Sequence, residues 1–160
     1  MWSPWRSKYI GTFKDEVEKS KEECFLCAAG NMKDNDMDAD REILVVKRYE
    51  HCFVILNKFP YNNGHVLVAP YRHVGDFAQL ADEELCEMML VSKKVVAALQ
   101  KIYNPHGFNF GANIGEFSGA GLPGHIHFHI VPRWGGDASF MTVLSDIKVV
   151  SIAIEDTWND

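Results

Sequence analysis

Apolar residues along this chain keep two different periods. In residues 42–47, 52–57 and 65–69 they come in short runs rich in β-branched side chains and bounded by turn formers, which predicts strands. Arg48-Tyr49-Glu50 splits the first two runs in the manner of a hairpin. The dense turn Phe59-Pro60-Tyr61-Asn62-Asn63-Gly64 precedes the third run, and Pro70 closes it. From 81 to 103 the period changes. Leu85, Met88, Met89, Val95, Val96, Leu99 and Ile102 recur at three- and four-residue steps, which predicts one long amphipathic helix. Asp82, Glu83 and Glu84 suit its first turn, and Pro105 with Gly107 stops it. Residues 107–114 return to the strand pattern, 115–124 form a loop with four glycines, and a fifth strand runs to Pro132. Residues 1–23 read as an arm with a short helix at 14–21, and the acidic stretch from Gly30 through Asp40 reads as a solvated loop. Five strands, one long helix and a short helix make an α+β class with antiparallel connections.

The fifth strand carries the chemistry. His125, His127 and His129 stand two residues apart in Gly-His-Ile-His-Phe-His-Ile-Val-Pro-Arg, so three of the seven histidines face one side while Ile126, Phe128 and Ile130 face a core. Neighbouring imidazoles lie roughly 6.6 Å apart along such a strand. The preceding loop places bare backbone beside them, where glycine N–H groups can converge on an anion. A neutral imidazole is a competent nucleophile near neutral pH, and a polyphosphate supplies a good leaving group.

Composition narrows the setting. A chain of 160 residues that is 47% hydrophobic can bury a core, and we expect one domain spanning 1–160: an arm at 1–23, a core at 24–141 and a tail at 142–160. The net charge of −6 argues against nucleic-acid or acidic-membrane surfaces, although a local pocket can still take a small anion. No apolar stretch approaches the roughly 20 residues of a membrane span, and the start lacks an apolar signal core, so a cytoplasmic location is expected. Of the four cysteines, the close pair Cys24 and Cys27 favours metal binding or redox chemistry, whereas Cys52 and Cys86 read as buried small hydrophobes.

The His125-Ile126-His127-Phe128-His129-Ile130-Val131 run resembles the signature of the histidine triad superfamily of nucleotidyl hydrolases and transferases. Trp5-Arg6, Pro60-Tyr61-Asn62, Pro70-Tyr71-Arg72-His73-Val74, Gly107-Phe108-Asn109 and Pro132-Arg133-Trp134-Gly135-Gly136-Asp137 resemble the bacterial diadenosine tetraphosphate phosphorylase branch, near the fragile histidine triad group. That resemblance implies that His127 is the nucleophile and that His129 and His65 serve the phosphate site. It also implies Asn57 as a ribose contact, Leu67 and Phe25 at the base, and Asn113 as the amide beside the phosphate chain. Ser118, Gly119, Ala120 and Gly121 would line the phosphates, and Ser118, the 119–121 backbone or Arg133 would hold an acceptor phosphate.

Zinc-containing members of the family imply one structural zinc per chain on Cys24, Cys27, His73 and His125. The resemblance further implies a homodimer whose five-stranded sheets join, and adenine nucleotide substrates cleaved by inorganic phosphate or by water. Nucleoside phosphoramidates are an alternative substrate class. Two rival readings stand beside this one: a nucleotide-binding sensor without turnover, and a metallohydrolase using His125 and His127 as ligands.

Overall fold

The computed structural model describes residues 24–31, 37–137 and 150–160. The expected helix at 14–21 lies outside them. Within them the order is α1 (Phe25–Asn31), α2 (Met37–Glu42), β1 (Val45–Arg48), β2 (Cys52–Leu56), β3 (Val66–Pro70), α3 (Asp82–Tyr103), β4 (Gly107–Ala112), β5 (Phe128–Arg133) and α4 (Ile154–Asn159). The five strands form one antiparallel sheet in the order β1-β2-β3-β5-β4, as the α+β reading expects. None of the described helices is long and apolar enough to cross a membrane.

The strand register assigns the two faces. Leu56, Val66, Ile130 and Phe110 lie side by side on one face, and Ile55, Leu67, His129 and Gly111 on the other. The first face packs against α3. Val54, Val68 and Ile130 meet Met88 and Val91, and each fully buried side chain of this size contributes roughly 1.5–3 kcal/mol. Two acidic residues fasten the helix. The Glu87 carboxylate accepts from the N–H groups of His51 (2.6 Å) and Cys52 (3.0 Å), holding the β1–β2 turn, while Glu84 pairs with Arg72 at 2.6 Å. Asn104, in the left-handed region at φ 43°, ends α3.

The second face is half covered. Leu26 and Ala29 of α1 pack on Phe53, Ile55 and Ala69, which leaves the histidine end of that face to the site. Among its described residues, the stretch read as a solvated loop from Gly30 through Asp40 instead holds the end of α1 and the start of α2. α1 is recruited by burial of Leu26, Ala29 and Gly30. α2 buries no residue. It has Asp38 and Asp40 in its first turn, and Arg48 of β1 clamps Asp40 at 2.6 Å while reaching the carbonyl of Ala29 at 2.9 Å. β1 consequently starts at Val45, after Leu44 turns at φ 66°, rather than at Glu42. Cys52 is buried as expected; Cys86 is exposed, because it sits on the solvent side of α3.

The C-terminal segment has a structural role that its composition did not reveal. Ile154 and Trp158 pack on the α3 side of the core, and the Trp158 indole N–H donates to the carbonyl of Val45 at 2.9 Å. A short helix thereby covers part of an edge strand, a place where unpaired backbone groups invite association.

One close approach positions both clusters of the site. A Cβ at Gly75 would lie 2.5 Å from the Pro123 carbonyl oxygen and 3.0 Å from Gly124 Cα, so the 73–75 backbone is packed directly on 123–124. The Ile126 N–H donates to the Val74 carbonyl at 2.7 Å across the same contact. Gly75→Ala is expected to destabilise the fold by about 1–3 kcal/mol through overpacking. Urea unfolding measures it, and an unchanged midpoint would show that the two segments separate freely.

Candidate active site and metal cluster

The site is built from β5, the residues just before it, and the turn between β2 and β3. Continued alternation brings His127 onto the face of His129, with ring centroids 4.9 Å apart. His127 is 7% exposed, and its Nδ1 lies 2.8 Å from the carbonyl oxygen of His125. A carbonyl only accepts, so the proton is on Nδ1 and Nε2 keeps its lone pair. Burial lowers the pKa of this ring, which favours the neutral form.

A second chain of hydrogen bonds settles the proton on His129. The Phe59 N–H donates to Asn57 Oδ1 at 2.9 Å, which turns the Asn57 Nδ2 toward His65 Nδ1 at 3.3 Å. The Tyr61 N–H donates to the same ring nitrogen at 3.0 Å. A nitrogen facing two donors carries no proton. His65 is therefore protonated on Nε2, which lies 3.0 Å from His129 Nδ1 and donates to it. His129 Nδ1 accepts, so His129 carries its own proton on Nε2. Burial, followed by the neighbouring His129 and His127, lowers the His65 pKa to about 3, and the ring stays neutral throughout the physiological range. The site thus sets a ring nitrogen with a free lone pair beside an imidazole that can donate.

His125 belongs to a different group. Its Nε2–H donates to the carbonyl of Pro70 at 2.9 Å, which leaves the Nδ1 lone pair facing Cys24 Sγ at 3.3 Å and Cys27 Sγ at 3.5 Å. His73 Nδ1 lies 3.1 Å from Cys27 Sγ. The four donor atoms of Cys24, Cys27, His73 and His125 lie within 4.8 Å of one another and form a cluster that could bind a metal. α1 makes half of it, because one helical turn returns Cys27 to the side of Cys24 and its N–H reaches Cys24 Sγ at 3.4 Å. His73 and His125 come from the two segments that Gly75 brings together. Among the described residues this is the one such group, and His127 is not part of it: His125 faces two thiols, and His127 turns its Nδ1 to a carbonyl.

The remaining expected residues divide. Asn57, His65, His127 and His129 are joined as described. Asn113 follows the last paired residue of β4, and its Nδ2 reaches the carbonyl of Gly119 at 3.5 Å, tying the strand end to the loop. Gly115 and Gly119 take left-handed φ values of 83° and 84°, and the Ser118 hydroxyl donates to the Gly115 carbonyl at 2.6 Å, so Ser118 is spent within the loop. Ala120 and Gly121 are half-buried beyond it. Leu67 is buried beside His129, whereas Phe25 is 48% exposed on α1. Arg133 sits about 20 Å along the strand from His127, taking the strand rise, and is engaged with Asp137 and Asn109. It is thus displaced from the acceptor position expected of it.

Tyr61, Asn62 and Asp137 were visible in the sequence only as flanking matches. The Tyr61 ring lies 4.7 Å from that of His65 and 5.9 Å from that of His129. Asn62 and Asp137 join the turn to the far end of β5. For Tyr61 and Asn62 the further sequence signal is the density of turn formers before His65.

Comparison with known proteins places this geometry in context. A family model described as the HIT domain matches residues 40–136. The chain is 36% identical over 157 residues to the AP-4-A phosphorylase of Mycobacterium tuberculosis, covering 98% of this chain and 79% of that protein. The crystal structure of the Caenorhabditis elegans NitFhit protein matches at a TM-score of 0.59 and 30% identity, covering 72% of this chain but 26% of that longer one. A Zn-bound histidine triad family protein from Mycobacterium smegmatis shares the fold at a TM-score of 0.67 and 23% identity, over 88% of this chain and 91% of that one. With its paired imidazoles at the start of β5 and just before it, and its family match running through that strand, the chain belongs to the HIT family.

Proposed function

We propose that the protein is a nucleotidyltransferase acting on dinucleoside polyphosphates, with His127 as nucleophile. The observation that carries this reading is the hydrogen bond from His127 Nδ1 to the His125 carbonyl, which leaves Nε2 able to attack. Nε2 bonds to the α-phosphorus of diadenosine tetraphosphate, the bond from that phosphorus to its bridging oxygen breaks, and ATP departs. An oxygen of inorganic phosphate then attacks the adenylyl-histidine, releasing ADP and restoring the imidazole. Water in the same role would release AMP. His129, protonated on Nε2, donates to a phosphate oxygen as charge builds on it. Asn57 serves the ribose, Leu67 and Phe25 the base, and Asn113 with the 118–121 loop the polyphosphate. Identity to the phosphorylase over nearly the whole chain supports phosphorolysis.

The cluster suits zinc. Two thiolates and two imidazoles are a closed structural donor set, and N···S separations of 3.1 to 3.5 Å are near the roughly 3.5 Å edge expected when zinc bonds sulfur at about 2.3 Å and nitrogen at about 2.0 Å. One zinc per chain on Cys24, Cys27, His73 and His125 would tie α1 to the histidine strand. Cysteines used as metal ligands rather than as a disulfide fit a cytoplasmic location. β4 is an edge strand with Phe110 exposed, which supports a homodimer formed by joining sheets.

Product analysis tests the reaction. With diadenosine tetraphosphate the enzyme should yield ADP and ATP at a rate that rises and saturates with phosphate. AMP and ATP appearing at one rate with or without phosphate would make it a hydrolase.

A further inference from the structure

Both ring nitrogens of His65 are used inside the protein, one accepting from Tyr61 and Asn57, the other donating to His129. Neither is left to touch a phosphate. The turn that holds the ring is itself latched. The buried Asn62 amide donates to the carbonyl of Pro132 at 3.1 Å and to Asp137 Oδ2 at 2.9 Å. Asp137 is gripped by the Arg133 guanidinium and also accepts from the Trp134 N–H, and Arg133 in turn holds Asn109 Oδ1. The Asn62 carbonyl accepts from the His65 N–H at 3.2 Å, which closes the turn. Three separate segments of the chain, Pro60-Tyr61-Asn62, Asn109 and 132–137, thus converge on one hydrogen-bonded unit whose inner end is the His65 ring.

We infer that His65 is a positioning residue for His129: the turn 57–65, latched through Asn62 to Asp137, holds His65 with its proton on Nε2 and so commits His129 to present an N–H to the reacting phosphate. With the proton of either ring moved to Nδ1, one of two things must follow. Either two donors oppose each other at Tyr61 and His65, or two lone pairs or two protons oppose each other between His65 and His129. The latch makes the observed arrangement the one in which every contact pairs a donor with an acceptor. This resembles the way an outer partner of a ligating histidine selects which ring nitrogen stays free.

The inference deepens the proposed reaction and rests on it for the identity of the reacting group, but its first test needs no substrate. Two-bond proton–nitrogen spectra of the full-length protein labelled with ¹⁵N-histidine should show His65 and His129 both protonated on Nε2 and unprotonated on Nδ1. Either ring protonated on Nδ1 overturns the inference. In Asn62→Ala, where both rings remain, a second ring tautomer should appear for His65 and His129; spectra identical to wild type remove the latch from the scheme. For catalysis, His65→Leu should lower kcat on diadenosine tetraphosphate by about 10–100-fold, the range for loss of an outer-shell partner, with KM little changed. His65→Gln should recover most of that loss, because its amide can donate to His129 and accept from Tyr61. Equal loss in His65→Gln and His65→Leu, or a loss confined to KM, would make His65 a direct phosphate ligand instead. If wild-type protein does not turn over diadenosine tetraphosphate, the substrate reading fails while the ring-proton assignments still decide this inference.

Discussion

His127→Ala will lower kcat on diadenosine tetraphosphate by roughly four orders of magnitude or more, the scale on which removal of a covalent nucleophile acts. The loss is large because no other group stands in for it. His125 has both ring nitrogens committed, to Pro70 and to the thiols, and His129 presents a protonated Nε2 rather than a lone pair. The proposed nucleotide contacts at Asn57, Asn113 and the glycine loop are untouched by the substitution, so equilibrium binding of a non-hydrolysable analogue should change little. Labelled substrate should leave an acid-labile adenylyl group on the wild-type chain and none on the variant. A variant that turns over at the wild-type rate, or a wild-type chain that never acquires the label, would remove His127 from the role.

Cys24→Ser will cost the protein its metal and a large part of its stability. Structural zinc sites supply folding energy outright, on the order of 10 kcal/mol in small peptides that have little else to hold them. Here the sheet and α3 form a core of their own, so the expected loss is smaller. About 4 kcal/mol would lower Tm by roughly 10 °C for a chain of this length. The damage should be local first. α1 is seven residues long, below the length at which an isolated helix persists, and without the cluster it is left, among the described residues, with the burial of Leu26, Ala29 and Gly30 and the hydrogen bond from Arg48 to the Ala29 carbonyl. Elemental analysis should find one zinc per wild-type chain, and amide exchange should show α1 opening earliest in the variant. Metal-free protein with an unchanged Tm would end the structural-zinc assignment.

Much of this architecture was legible from the order of residues alone. The long helix is legible to within one residue at its start because its apolar positions recur over more than twenty residues, and β2 and β3 are legible because β-branched runs end at clear turn formers. Alternation along the histidine run also determines that His127 and His129 share a face opposite Ile126, Phe128 and Ile130, since a side-chain period of two leaves no other choice.

What only the tertiary structure decided was where short segments go and where protons sit. α1 and α2 carry too few periodic positions to be recognised; they form because the sheet offers Leu26 a buried site and Arg48 holds Asp40. The exposure of Cys86 depends on helix rotation, and the engagement of Arg133 with Asn109 and Asp137 on which segments fold against it, neither of which residue type encodes. The division of three equivalent histidines into two groups was likewise a matter of partners. Composition cannot distinguish His125 from His129, but the Pro70 carbonyl and two thiols place one in the cluster that could bind a metal, and a chain from Phe59 through Asn57 and His65 makes the other a hydrogen-bond donor. An imidazole's chemistry is set by which of its nitrogens holds the proton, and that follows from the groups folded against it.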